Sequence, residues 1–152
     1  HSCCMLLAKK ECEALGLKYK EGTVSSSNEI QQVAQSLVSG VQAVYVPTDN
    51  MLAAGMQTVT MVTNAAKVPV IVGESGMVKN GGLATYGINY SKLGKQTSEM
   101  AVKILTGESK PADMPIEYQK DMDVAVNEKS AAAVGITLPQ SLLDKAAKSG
   151  NS

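Results

Sequence analysis

At 152 residues with 44% apolar content, the chain is long enough for one domain with its own core and too hydrophobic to be a disordered segment. Fourteen basic residues balance fourteen acidic ones, which argues against a nucleic-acid binder with its usual basic surplus. No apolar run approaches the roughly 18 residues of a membrane span, and with Phe and Trp absent the core must be built from Val, Ile, Leu, Met and Ala.

Helix and strand patterns alternate along the chain with short connections. Residues 4–15 carry Leu7, Ala8, Glu11, Cys12 and Leu15 in helical register, and Gly16 follows as a C′ stop. Leu17 to Lys20 alternates apolar and polar, as a strand does. Ser26-Ser27-Asn28-Glu29 has capping-box spacing. Behind it Ile30, Val33, Ala34, Leu37 and Val38 form an i, i+3, i+4, i+7, i+8 stripe that ends at Gly40. A strand over 42–46, a helix over 51–67 and a strand over 68–72 come next. Met51, Met56 and Met61 fall five apart, form no single stripe and read as core filling.

A Gly-rich loop from Glu74 to Gly82 leads to a strand, Leu83 to Gly87. The helix after Asn89-Tyr90-Ser91 carries Leu93, Thr97, Met100, Ala101, Ile104 and Leu105, with Gly107 at its end. Residues 108–120 are a polar connection, 122–126 a last strand, and Ile136-Thr137-Leu138-Pro139 opens a terminal helix that runs to about Lys148. The chain begins on a helix where the pattern wants a strand. It therefore reads as a piece of a longer chain, with strand 17–20 lacking its expected neighbour.

The unit from 42 to 72 is strand–helix–strand, which closes as a right-handed parallel crossover. In open parallel sheets ligands bind beyond the carboxyl ends of the strands. Thr48, Asp49, Asn50, Glu74, Ser75 and Gly76 fall at that edge. One reading of Thr48-Asp49-Asn50 is helix N-capping alone; the other is capping plus hydrogen bonds to a ligand. Asp49 and Glu74 invite comparison with an acid–base pair, against the reading that they orient a ligand's polar groups.

Other chemistry has less support. The only His is residue 1 and there is no GxSxG, so a Ser or Cys nucleophile would lack its usual base. No catalytic residue is assigned and no enzyme is expected. Gly73-Glu74-Ser75-Gly76 and Lys79-Asn80-Gly81-Gly82 match neither GxGxxG nor the Walker pattern, and Glu74 would repel a phosphate. Their glycines suit tight turns and close backbone approach. Cys3, Cys4 and Cys12 form no CxxC pair, so no metal and no cofactor is expected, and the thiols read as small buried groups.

Several segments together resemble one family. These are Val46-Pro47-Thr48-Asp49-Asn50, Val70-Ile71-Val72-Gly73-Glu74-Ser75-Gly76-Met77-Val78-Lys79, Gly82-Leu83-Ala84-Thr85-Tyr86-Gly87-Ile88-Asn89-Tyr90 and Leu93-Gly94-Lys95-Gln96-Thr97. Asp123-Val124-Ala125-Val126-Asn127 and Gly135-Ile136-Thr137-Leu138-Pro139 continue the pattern. The resemblance is to ABC-transporter substrate-binding proteins of the tryptophan-type branch, with the type I periplasmic-binding-protein fold. Lactose-repressor-type regulators share that fold and look similar around Asp49 and Leu93-Gly94; a ligand-sensing domain of such a regulator is the alternative.

The resemblance implies an α/β fold with a parallel, doubly wound sheet, in two lobes joined by three crossovers with a small ligand between them. Residues 1–87 would be the second-lobe domain without its first strand. Residues 88–108 would be a crossover helix belonging to the first lobe, and 109–152 the returning strand and helix; the first lobe is largely missing. The implied function is the extracytoplasmic solute-binding component of an ABC importer, periplasmic or lipid-anchored at the cell surface, working with an ABC permease in the membrane and with no nucleic acid. Its ligand would be a small polar solute, an aromatic amino acid foremost. Thr48, Asp49, Asn50, Glu74, Ser75 and Gly76 would contact it. Asp49 or Glu74 would pair with an ammonium group, and amides at the start of helix 51–67 would take a carboxylate. Surfaces made for the absent lobe predict self-association of this piece.

Overall fold

Two β-branched runs form the centre of the molecule. The structure, a computed structural model, describes residues 2–119 and 121–149. Val44–Val46 is β1 and Val70–Val72 is β2. They pair in parallel, with Val44, Tyr45 and Val46 opposite Val70, Ile71 and Val72. Ala84–Gly87 is β3, parallel to β2. Asp123–Val126 is β4 and runs antiparallel to β3, with Gly87 opposite Asp123 and Ala84 opposite Val126. The order in this α/β sheet is β1-β2-β3-β4.

The sheet is parallel across β1, β2 and β3, as expected, with β4 added antiparallel at one edge. The chain leaves the carboxyl end of β3 and returns to that same end at Asp123. A strand that starts where its neighbour finishes must run the other way.

Helices cover one face of the sheet and part of the other, where Tyr45, Ile71 and Tyr86 remain exposed. α1 spans Ser2–Ala14 and α2 spans Ile30–Val38. α3 (Asn50–Ala54) and α4 (Met56–Ala65) join β1 to β2, and α5 (Ser75–Lys79) joins β2 to β3. Against one face Ile30, Val46, Met56, Val59, Val70, Val72, Met77, Val78 and Ala125 make the main core. α6 (Tyr90–Leu105) follows β3, and α7 (Glu128–Val134) and α8 (Gln140–Lys148) follow β4. Leu83, Ala84, Val124, Val126, Ala131 and Ala146 form a second core cluster.

Several elements differ from the sequence pattern. Residues 17–20 form no strand; alternation alone does not make a ladder without a neighbour to pair with. The helix expected over 51–67 is broken at Gly55, where a Cβ would run into Cδ1 of Ile30. The close approach of α2 therefore favours Gly there, and Gly is the weakest point of a helix apart from Pro. The Gly-rich loop contains α5, and α7 is a further helix that the pattern did not indicate. α7 stops at Gly135, whose φ of 77° suits glycine. The capping box is offset: Glu29 Oε2 accepts from the Ser25 amide at 2.8 Å, and Ser26 makes no side-chain cap.

Met56 does fill the core, with no exposed surface, whereas Met61 faces solvent. The buried thiols do not materialise. Cys4 is exposed and Cys12 half-buried, on a helix whose Leu6 and Leu7 are exposed as well; the side chain of Cys3 lies outside the described ones. None of the 16 residues of α6 is buried.

Candidate functional site

The carboxyl ends of β1, β2 and β3 and the start of β4 meet on one edge of the sheet. β1 passes through Pro47 into Thr48-Asp49-Asn50. Asp49 is extended, and its Oδ1 accepts from the Leu52 amide at 2.8 Å. That is the N-cap of α3, where a short acceptor side chain satisfies an otherwise orphaned amide. Thr48 and Asn50 beside it are exposed.

The end of β2 packs directly against this turn. The Gly73 amide donates to the Val46 carbonyl at 3.0 Å. A Cβ on Gly73 would lie 2.5 Å from Thr48 Oγ1 and 2.7 Å from Thr48 N. Only glycine lets the two loops approach this closely. The same device repeats one strand over, since a Cβ on Gly87 would strike the Gly73 carbonyl. A single parallel bridge joins Glu74 to Ile88. The two glycines therefore draw three strand ends into one surface.

Glu74 is 8% exposed. Its Oε2 accepts from the Gly76 amide at 2.6 Å and its Oε1 from the Met77 amide at 2.7 Å. The carboxylate is the N-cap of α5, and negative charge at a helix N-terminus is favourable. It holds Ser75 and Gly76, both half-buried, at the surface of the edge. Asp49 and Glu74 thus each accept from backbone amides of the helix they cap, which orients the backbone at this edge. All six predicted residues lie at this edge.

The sequence reading missed a second group there. Asp123, at the start of β4, is 2% exposed. It accepts from Asn89 Nδ2 and from Lys92 Nζ, each at 2.5 Å. The Asn89 amide donates to Gln119 Oε1 at 3.1 Å. An Asp opening an otherwise apolar strand was the available signal, because a carboxylate buried at a strand end needs partners.

The second Gly-rich stretch serves packing. Gly81 has φ 110°, and a Cβ on Gly82 would meet Val72 Cγ1 at 2.8 Å. Among the described residues no cluster of three or more His, Cys, Asp or Glu is placed to hold a metal ion.

Comparison with known proteins adds to this geometry. The family model for ABC transporter substrate binding proteins matches residues 3–149. The tyrosine-binding protein of Clostridioides difficile (strain R20291) is 38% identical over 114 residues, which is 75% of this chain and 33% of that protein. The solved ABC domain in complex with L-Trp from Streptococcus pneumonia superposes with a TM-score of 0.84 at 35% identity, over 95% of this chain and 48% of that one. A conserved domain protein from Vibrio cholerae O1 biovar El Tor gives a TM-score of 0.86 at 28% identity, over 95% and 49% of the two chains. The chain thus spans between a third and a half of the length of these relatives.

Proposed function

The chain belongs to the ABC transporter substrate-binding protein family, and from that premise we propose that it supplies one wall of a cleft that captures an aromatic amino acid for an ABC importer. One observation carries this reading most: polar residues from two successive strand ends share the sheet edge that the parallel topology marks for ligands. The names of the relatives supply the ligand class, one being a tyrosine-binding protein and one an L-Trp complex.

In this reading Thr48, Asp49, Asn50, Ser75 and Gly76 meet the solute. Glu74, buried and bonded to the backbone, holds the turn that presents Ser75 and Gly76. The residues over 88–108 cross to a first lobe that completes the cleft, and 109–152 return. The absence of any buried residue on α6 supports this, since an amphipathic helix ordinarily buries one face. The protein acts outside the cytoplasm, in the periplasm or anchored at the cell surface, and hands its solute to a membrane permease. No helix among the described residues is long and apolar enough to cross a membrane.

Calorimetric titration with tyrosine, tryptophan, leucine and a neutral sugar tests the assignment. Heat with the aromatic amino acids and none with the sugar is expected. Heat with the sugar alone would overturn it.

A further inference from the structure

We propose that Asp123 is a positioning residue that sets the direction of α6 against the sheet, by clamping the outgoing segment 88–92 to the returning segment 117–123. The inference rests on the reading that α6 crosses to another lobe, and gives that crossing its hinge.

Gly87 and Asp123 are register partners, so the two connections leave and rejoin the sheet side by side. Between them lies one buried carboxylate. Asp123 Oδ2 accepts from Asn89 Nδ2, and Oδ1 accepts from Lys92 Nζ. Asn89 is also the N-cap of α6, with Oδ1 accepting from the Lys92 amide at 3.1 Å. One side chain therefore starts the helix and ties it to β4. Further ties lie alongside. The Asn89 amide donates to Gln119 Oε1, and Gln119 Nε2 donates to the Asp121 carbonyl at 2.6 Å. Gln96 Nε2 donates to Glu117 Oε2 at 2.7 Å and to the Tyr118 carbonyl at 3.3 Å.

The ties that reach the outgoing segment all fall within residues 89–96, at the start of the helix. With none of α6 buried and only Leu93, Gln96 and Met100 half-buried, apolar packing holds its direction weakly, and polar contacts carry much of it. Gln96 and Glu117 are exposed or half-buried and compete with water. The Asp123 side chain is 3% exposed, while that of Lys92 is 50% exposed. Charge-assisted bonds to a carboxylate with little water around it are the strongest of the set.

The test measures a distance that needs no solute, so it stands or falls separately from the amino-acid titration. Spin labels are placed at Glu99→Cys on α6 and Gln57→Cys on α4, both exposed, in the 152-residue chain with its three native cysteines changed to Ser. Pulsed electron resonance then reads the width of the label–label distribution. Lys92→Met, which keeps length and loses charge, should broaden it about twofold, because the helix now samples several directions. Lys92→Arg should keep the parent width, and Asp123→Asn should broaden it. Asp123→Asn can also disturb β4, so the half-exposed Lys92 carries the decisive comparison. An unchanged width in Lys92→Met would overturn the proposal. So would broadening that appears only together with a lowered melting midpoint, which would make the contact a structural one.

Discussion

Replacing Glu74 by Ala should cost the fold about 2–4 kcal/mol, from losing the cap and stranding amides that it covers. The carboxylate accepts from two backbone amides, at 2.6 and 2.7 Å. Removing an N-cap costs roughly 0.5–2 kcal/mol in most helices. Here the Met77 amide is buried, and a buried donor left without a partner adds about 1–3 kcal/mol. α5 has only five residues, so it has little propensity of its own to fall back on. It also carries Met77, with no exposed surface, and Val78 at 3% into the main core. Glu74→Gln keeps one acceptor oxygen and should cost about half as much, by the same reasoning. Urea denaturation reads both: the midpoint should fall while the slope stays constant. A Glu74→Ala protein within about 0.5 kcal/mol of the parent would refute the capping argument, because that is the scale of an ordinary surface change.

Gly73→Ala would put a methyl group 2.7 Å from Thr48 N; we expect a loss of roughly 1–3 kcal/mol in the same assay, with weaker amino-acid binding in titration because Thr48 is pushed away. α6 leaves Val102 at 56% and Leu105 at 85% exposure, and each such side chain forgoes about 1.5–3 kcal/mol of burial. Light scattering after size-exclusion chromatography should therefore show a mass that rises with protein concentration, and Leu105→Lys should reduce that rise; a strict monomer at all concentrations would contradict this.

Much of the fold was legible because it rests on local pattern. The β-branched runs of β1 and β2 and the stripe from Ile30 to Val38 each declare their period within a few residues, and the structure places them as expected. What escaped depends on partners distant in sequence. The glycine at the Gly55 break lies against the Ile30 side chain, 25 positions earlier in the chain. The direction of β4 is set by where the chain returns after α6. Strand 17–20 was misread because alternation shows what a segment can do, while pairing requires a neighbour. α5 was hidden by Gly76 within it and by its cap, since Glu is not among the usual N-capping residues. The position of the six candidate site residues followed from topology. The Asn89–Lys92–Asp123 cluster did not, because it joins positions more than 30 apart in the chain.

The most direct measurement is a titration of the isotope-labelled protein with L-tyrosine and L-tryptophan, followed by backbone amide resonances. The account predicts perturbations that saturate with ligand and cluster at residues 48–50 and 73–76. A neutral sugar should leave these resonances unmoved. Shifts confined elsewhere, for instance to the groove between α2 and α4 lined by Val38, Met61 and Val62, would contradict the assignment of the sheet edge as the solute site.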